Sequence, residues 1–171
     1  MSDDRPLRVM LVGMMGTGKT TVGRALAGRN GWTYLDSDEE VQKRTGRTVP
    51  ELFAAQGEAG FRVEESRALA QAVAAPPPLV VSVAGGAVLD PANRELLREA
   101  GIVVWLRASA EVLTVRVGDG RTRPLLGDDP GAVISRLLPV REPFYRELAD
   151  VVIDVDDTAV EAVCERIESA L

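Results

Sequence analysis

The chain contains no histidine and one cysteine, Cys164, in 171 residues. The first absence excludes histidine-based acid–base catalysis and every histidine metal site. The second excludes an internal disulfide framework. Cys164 falls in the stripe Val160, Val163, Cys164, Ile167, Leu171, whose helical spacing predicts a buried small hydrophobe instead of a nucleophile. No run approaches the ~18 apolar residues of a membrane span. The first residues, Met1-Ser2-Asp3-Asp4, are acidic and open no apolar segment, so no signal peptide is expected and the cytoplasm is the expected compartment. Lysine is almost missing too: only Lys19 and Lys43 occur. Any anion held away from Lys19 must then be held by arginine forks. The net charge of −6 argues against a general nucleic-acid binder. It also repels anions at long range, so an anionic substrate needs a local arginine cluster.

What is present centres on Gly13-Met14-Met15-Gly16-Thr17-Gly18-Lys19-Thr20. The stretch satisfies G-x-x-x-x-G-K-[ST] at every fixed position. An apolar segment, Arg8–Val12, precedes it and a helical one, beginning Thr21-Val22-Gly23, follows. Strand, glycine loop and helix form the context this phosphate-binding motif requires. Backbone N–H groups and the helix N-terminus would receive a polyphosphate. Lys19 would reach the β- and γ-phosphates, and the Thr20 hydroxyl would ligate Mg²⁺.

Apolar strands alternate with helical stretches along the rest of the chain. The expected strands are Arg8–Val12, Trp32–Leu35, Leu79–Val83, Ile102–Leu106 and Val151–Ile153. The expected helices are Lys19 to Arg29, Glu39–Thr45, Pro50–Gln56, Ala59–Ala75, Pro91–Ala100, Ala110–Val117, Gly131–Leu148 and Ala159–Ala170. Five strands with helical crossovers imply an α/β fold: a parallel sheet covered on both faces. One domain over residues 1–171 is expected. Residues 37–75 hold more helix than one crossover needs, which suggests a substrate-binding insertion. Residues 118–130 are rich in glycine, proline and charge, the composition of a lid.

Several residues admit two readings. Asp36 and Asp38 follow the second strand, on the sheet edge where ligands of open α/β sheets bind. Ser37 or Asp38 could equally cap the next helix. The third strand lacks the aspartate that usually helps hold Mg²⁺ and runs into Ala84-Gly85-Gly86, either a close approach for a ligand or a simple turn. Glu58, Arg62 and Glu65 share a helix face, so Arg62 fits an exposed ladder of ion pairs as well as a site. Arg141 could be a solvated helix residue.

Together these stretches resemble the shikimate kinase family over nearly the whole chain. The resemblance rests on the Gly13–Thr20 loop, Leu35–Asp38, Thr45-Gly46-Arg47, Phe61–Glu65, Gly85–Val88, Thr122–Leu126 and Arg141–Tyr145. It implies a three-layer α/β/α P-loop kinase with ATP as co-substrate, Mg²⁺ as metal and shikimate as acceptor. Gly16, Thr17, Gly18, Lys19, Thr20 and Thr21 would bind the nucleotide, with Arg116 near adenine. Thr20 and Asp36 would hold Mg²⁺. Asp38 would bind the acceptor hydroxyls and act as base. Arg62 and Arg141 would clamp the carboxylate beside Gly85 and Gly86. Arg123 would reach from the lid to the transferring phosphoryl. The expected protein is a monomer with no nucleic-acid or membrane partner. Related readings are another small-molecule kinase, such as a gluconate kinase, or a non-catalytic domain of similar fold. Two departures stand out. Ala84 replaces the first of three glycines, and the acidic Asp154–Thr158 replaces a basic, proline-containing loop that touches adenine.

Overall fold

The computed structural model describes residues 7–118 and 126–171. Five strands form one sheet: β1 (Arg8–Val12), β2 (Thr33–Asp36), β3 (Leu79–Ser82), β4 (Ile102–Arg107) and β5 (Val151–Asp154). Their spatial order is β2-β3-β1-β4-β5, and every pairing is parallel. Central strands buried on both faces read as unbroken apolar runs. Accordingly Val9 to Val12, Leu79 to Val81 and Val103 to Leu106 are all inaccessible or nearly so.

The helices are α1 (Lys19–Asn30), α2 (Ser37–Thr45), α3 (Val49–Val73), α4 (Pro91–Ala100), α5 (Ala110–Val117), α6 (Pro130–Leu148) and α7 (Val160–Glu168). Helix α1 packs on α7, where Cys164 is buried behind Val22, while α4 packs on α3 and α6. These are the two outer layers of an α/β/α arrangement. Among the described residues no helix is long and apolar enough to cross a membrane.

One expectation about local structure holds and another changes. The two helices expected over Pro50–Gln56 and Ala59–Ala75 are both present within α3, separated by a kink at Gly57, whose backbone is non-helical (φ 70°, ψ −177°). Thr48 and Glu51 close a reciprocal capping box at its start, so both orphan N–H groups there are satisfied. The cap of α2 is neither Ser37 nor Asp38. It is Asp36, whose carboxylate accepts from the N–H groups of Asp38 and Glu39. The sequence also gave no hint of the short 3₁₀ turn at Ala87–Leu89. Of the expected lid, residues 119–125, including Arg123, lie outside the described residues.

Candidate active site

The carboxyl end of β1 opens into the phosphate loop. A Cβ on Gly13 would stand 2.5 Å from the Leu106 carbonyl oxygen, so no larger residue fits where the loop leaves the sheet. Gly18 caps α1 with a left-handed backbone (φ 89°) and no side chain over the helix start. The first-turn N–H groups are therefore available to an anion. Thr17 is buried and donates its hydroxyl to Met14 O at 3.0 Å, which fixes the loop's curvature. The Lys19 ammonium folds back over the loop, donating to Gly13 O (2.8 Å) and Met14 O (2.9 Å). Gly16, Gly18, Lys19, Thr20 and Thr21 all line one cleft of about 370 Å³.

Asp36 faces the loop from the end of β2. Its Oδ2 accepts from the Thr20 hydroxyl and the Tyr34 hydroxyl, each at 3.2 Å, while Oδ1 caps α2. A hydroxyl and a carboxylate in contact are hard oxygen donors suited to Mg²⁺, which keeps most of its waters and needs few protein ligands. The described residues contain no group of three or more His, Cys, Asp or Glu side chains that could hold a metal ion. Burial pushes the Tyr34 hydroxyl's pKa up, so the phenol stays a neutral donor to Asp36.

The wall opposite Lys19 is the turn after β3. Ser82, Ala84 and Gly85 line the same cleft, with Asp38 beside them. Buried Ser37 accepts the Ala84 N–H at 2.9 Å, which ties the turn to the segment carrying Asp36 and Asp38. The methyl of Ala84 leaves this anchoring bond intact, since only its backbone takes part.

Beyond the turn lie the two arginines. Arg62 donates to both oxygens of Glu65 (2.9 and 2.8 Å) and to Glu58 at 3.5 Å, so the ladder of ion pairs exists. It is not a solvated ladder: Glu65 is only 2% exposed. Burial pushes the Glu65 carboxyl up, Arg62 pulls it down, and Asp38 and Arg141 lie close enough to contribute. Arg141 is not a solvated helix residue either. It is 1% exposed, its Nη1 approaches Met14 Sδ at 3.9 Å, and among the described residues its Nε has no hydrogen-bond partner. A buried guanidinium without a carboxylate in contact is costly unless an anion joins it. Asp38, Arg62, Glu65 and Arg141 are thus brought together around Gly85 and Gly86.

A second hollow of about 230 Å³ adjoins the phosphate loop, between Thr17, Thr21, Arg116, Val155, Thr158 and Val160. Arg116 braces it, donating to Val155 O (2.8 Å) and Asp156 O (3.3 Å). Two of the loop's acidic side chains are engaged elsewhere. Asp154 pairs with Arg107, and Asp156 accepts the Ser109 N–H. The hollow is therefore lined by valines, threonines and Arg116, with no carboxylate among its described lining residues.

Sequence reasoning assigned no role to Tyr34 or Tyr145, read Ser37 only as a possible helix cap, and read Glu65 only as part of a ladder of ion pairs. The position of Ser37 between two singled-out aspartates was the one local signal. Nothing in the sequence indicated what Tyr145 touches.

With this geometry established, three comparisons bear on the chain. The family model described as "Shikimate kinase" matches residues 15–171. The "Shikimate kinase" of Thiobacillus denitrificans is 50% identical over 145 residues, covering 84% of this chain and 79% of the relative. That of Halorhodospira halophila is 44% identical over 167 residues, covering 97% and 94%. Among solved structures, the shikimate kinase from Acinetobacter baumannii in complex with shikimate superposes with a TM-score of 0.92. It is 39% identical, and the match covers 97% of this chain and 92% of that one. A gluconokinase from Sinorhizobium meliloti, at 23% identity and a TM-score of 0.70, shares the fold.

Proposed function

The chain belongs to the shikimate kinase family, and from that premise we propose the reaction of its site: transfer of the γ-phosphoryl of ATP to the 3-hydroxyl of shikimate. The products are ADP and shikimate 3-phosphate, on the route to chorismate and the aromatic amino acids. The observation that carries the reading is the buried Arg141 beside Gly85, with Arg62 on the same turn. Two guanidinium groups there suit a small carboxylate, one peptide turn away from a phosphate loop.

The hydroxyl ring of the acceptor would sit against Asp38, which orients the attacking oxygen and takes its proton. Lys19 would exchange its loop carbonyls for the phosphates, neutralising charge as the bond to the γ-phosphorus breaks. Phosphoryl transfer depends on positioning and charge neutralisation more than on a strong base, so the lack of histidine is no obstacle. Thr20 and Asp36 would hold Mg²⁺, which when bound neutralises phosphate charge. Arg116 and the hollow beside it would receive adenine. Residues 37–75 would form the acceptor-binding region and residues 118–130 the lid, with Arg123 over the transferred group. A cytoplasmic monomer acting on a free small molecule belongs to the same proposal.

A gluconate kinase would share the phosphate loop, but it has no need of both Arg62 and Arg141. A non-catalytic domain would be expected to lose Lys19, Thr20, Asp36 or Asp38, and all are present. The test is a coupled ADP-release assay with Mg²⁺ and shikimate, gluconate or no acceptor. Turnover dependent on shikimate is expected. ADP release that responds to gluconate alone, or to neither, overturns the reading.

A further inference from the structure

The Ala84–Gly86 turn is anchored at both flanks by hydroxyl groups of fully buried side chains. On one flank Ser37 accepts the Ala84 N–H. On the other, the Tyr145 hydroxyl donates to the Gly85 carbonyl oxygen at 2.6 Å. Tyr145 is completely inaccessible, and its ring packs on Trp105 with centroids 5.9 Å apart. Burial pushes its ionisation far above the ordinary tyrosine range, so it donates at every working pH.

Tyr145 and Arg141 lie four positions apart on α6 and hence on one face of it. Arg141 Nη1 lies 3.3 Å from where a Gly85 Cβ would stand, and Gly13 O lies 3.2 Å from the same point. One helix face therefore supplies both the guanidinium resting on the turn and the hydroxyl gripping it. The turn in its place is wedged between Arg141 and the phosphate loop. A shift of the Gly85 carbonyl changes the distance between the two halves of the site.

We propose that Tyr145 is a positioning residue for the acceptor subsite: its hydroxyl holds the Gly85 carbonyl, and thereby sets the glycine turn against Arg141. The proposal rests on the shikimate kinase reading above. Tyr145 acts through the turn and does not touch substrate. In its absence the half-buried Gly85 carbonyl loses the hydroxyl that fixes it, and the turn is free to shift against Arg141. The effect falls on acceptor recognition because the phosphate loop keeps its own bonds through Thr17 and Lys19.

Tyr145→Phe in the full chain tests this, since it removes one oxygen and keeps the packing against Trp105. Both KM values and kcat are measured by ADP release, alongside the thermal melting curve. The KM for shikimate is expected to rise about tenfold, the loss of one net hydrogen bond, with the KM for ATP within twofold of wild type. An unchanged shikimate KM overturns the proposal. So does a parallel rise in both KM values, or loss of a cooperative melt, either of which makes Tyr145 a plain core residue. A wild-type protein without shikimate-dependent turnover overturns the functional reading, and this proposal with it. Wild-type turnover with an unaffected Tyr145→Phe overturns the proposal alone.

Discussion

The guanidinium of Arg62 occupies the space where a side chain on Gly86 would begin: a Cβ there would stand 2.5 Å from Nη1 and 2.6 Å from Nη2. The backbone at Gly86 is ordinary (φ −90°, ψ −8°), so the constraint is contact and not conformation. The clashing neighbour is the far end of a flexible side chain, so Gly86→Ala is expected to fold with little change in Tm. Its cost falls on recognition, because Arg62 must leave the turn. A rise of about tenfold or more in shikimate KM is expected, ~1.4 kcal/mol or more of lost recognition, with ATP KM unchanged. Steady-state kinetics with each substrate varied would show this; an unaltered shikimate KM would mean that Arg62 has no fixed place in recognition.

Arg141 places function and stability in opposition. Among the described residues its buried charge has no carboxylate in contact, and an apolar side chain of similar length removes that burden. Arg141→Met should leave the fold as stable as wild type or more stable by ~1–4 kcal/mol, as seen when buried ions are replaced by hydrophobes. Shikimate recognition should weaken by ~2–5 kcal/mol, as for one partner of a buried charge pair. Thermal melts with and without shikimate separate the two effects. A less stable variant that still gains stability from shikimate would contradict both statements.

Asp36 performs two tasks that asparagine divides. Asparagine caps a helix as well as aspartate does but offers a weaker ligand to a hard cation. Asp36→Asn should therefore melt near the wild-type temperature while needing several-fold more Mg²⁺ for half-maximal activity. A large fall in Tm with an unshifted Mg²⁺ titration would assign Asp36 to the cap alone.

For Asp38 the expectation concerns kcat. Asp38→Asn keeps the size of the side chain and removes the proton acceptor, so kcat should drop by ~10²–10⁴-fold, the usual worth of a general base. ATP binding, followed by equilibrium titration, should survive. Collapse of ATP affinity with normal shikimate kinetics would place Asp38 on the nucleotide side.

Glu65 gives the site a pH dependence. Burial raises its pKa above the usual 4.5. The folded state then binds the proton more tightly than the unfolded one. Its contribution to stability is fully present below 4.5 and is lost as pH rises through the raised value. Glutamine has no such titration. The Tm difference, wild type minus Glu65→Gln, should favour wild type most near pH 4.5 and shrink as pH rises. Melts of both proteins across that range decide it. A difference that grows with pH would mean that pairing with Arg62 outweighs burial.

The sequence by itself determined what depends on neighbours along the chain. The glycine loop, the strand before it and the helix after it follow from steric and hydrogen-bonding rules that act within a few residues. All five strands and the main helices were legible from apolar runs and helical spacing for the same reason. Boundaries slipped where a side chain could serve two neighbours, as when Asp36 took the cap expected from Ser37 or Asp38. Only the tertiary structure decided the state of the arginines. The same pattern of Glu58, Arg62 and Glu65 suits a solvated face or a buried clamp, and the choice rests on what packs across it. Arg141 is drawn into the interior by Gly85, Met14 and Tyr145, which lie far from it or beside it on α6 in ways no spacing reveals. Burial, and the charge chemistry that follows from it, is a property of the packed layers, so it could be read only once β3, α3 and α6 had met.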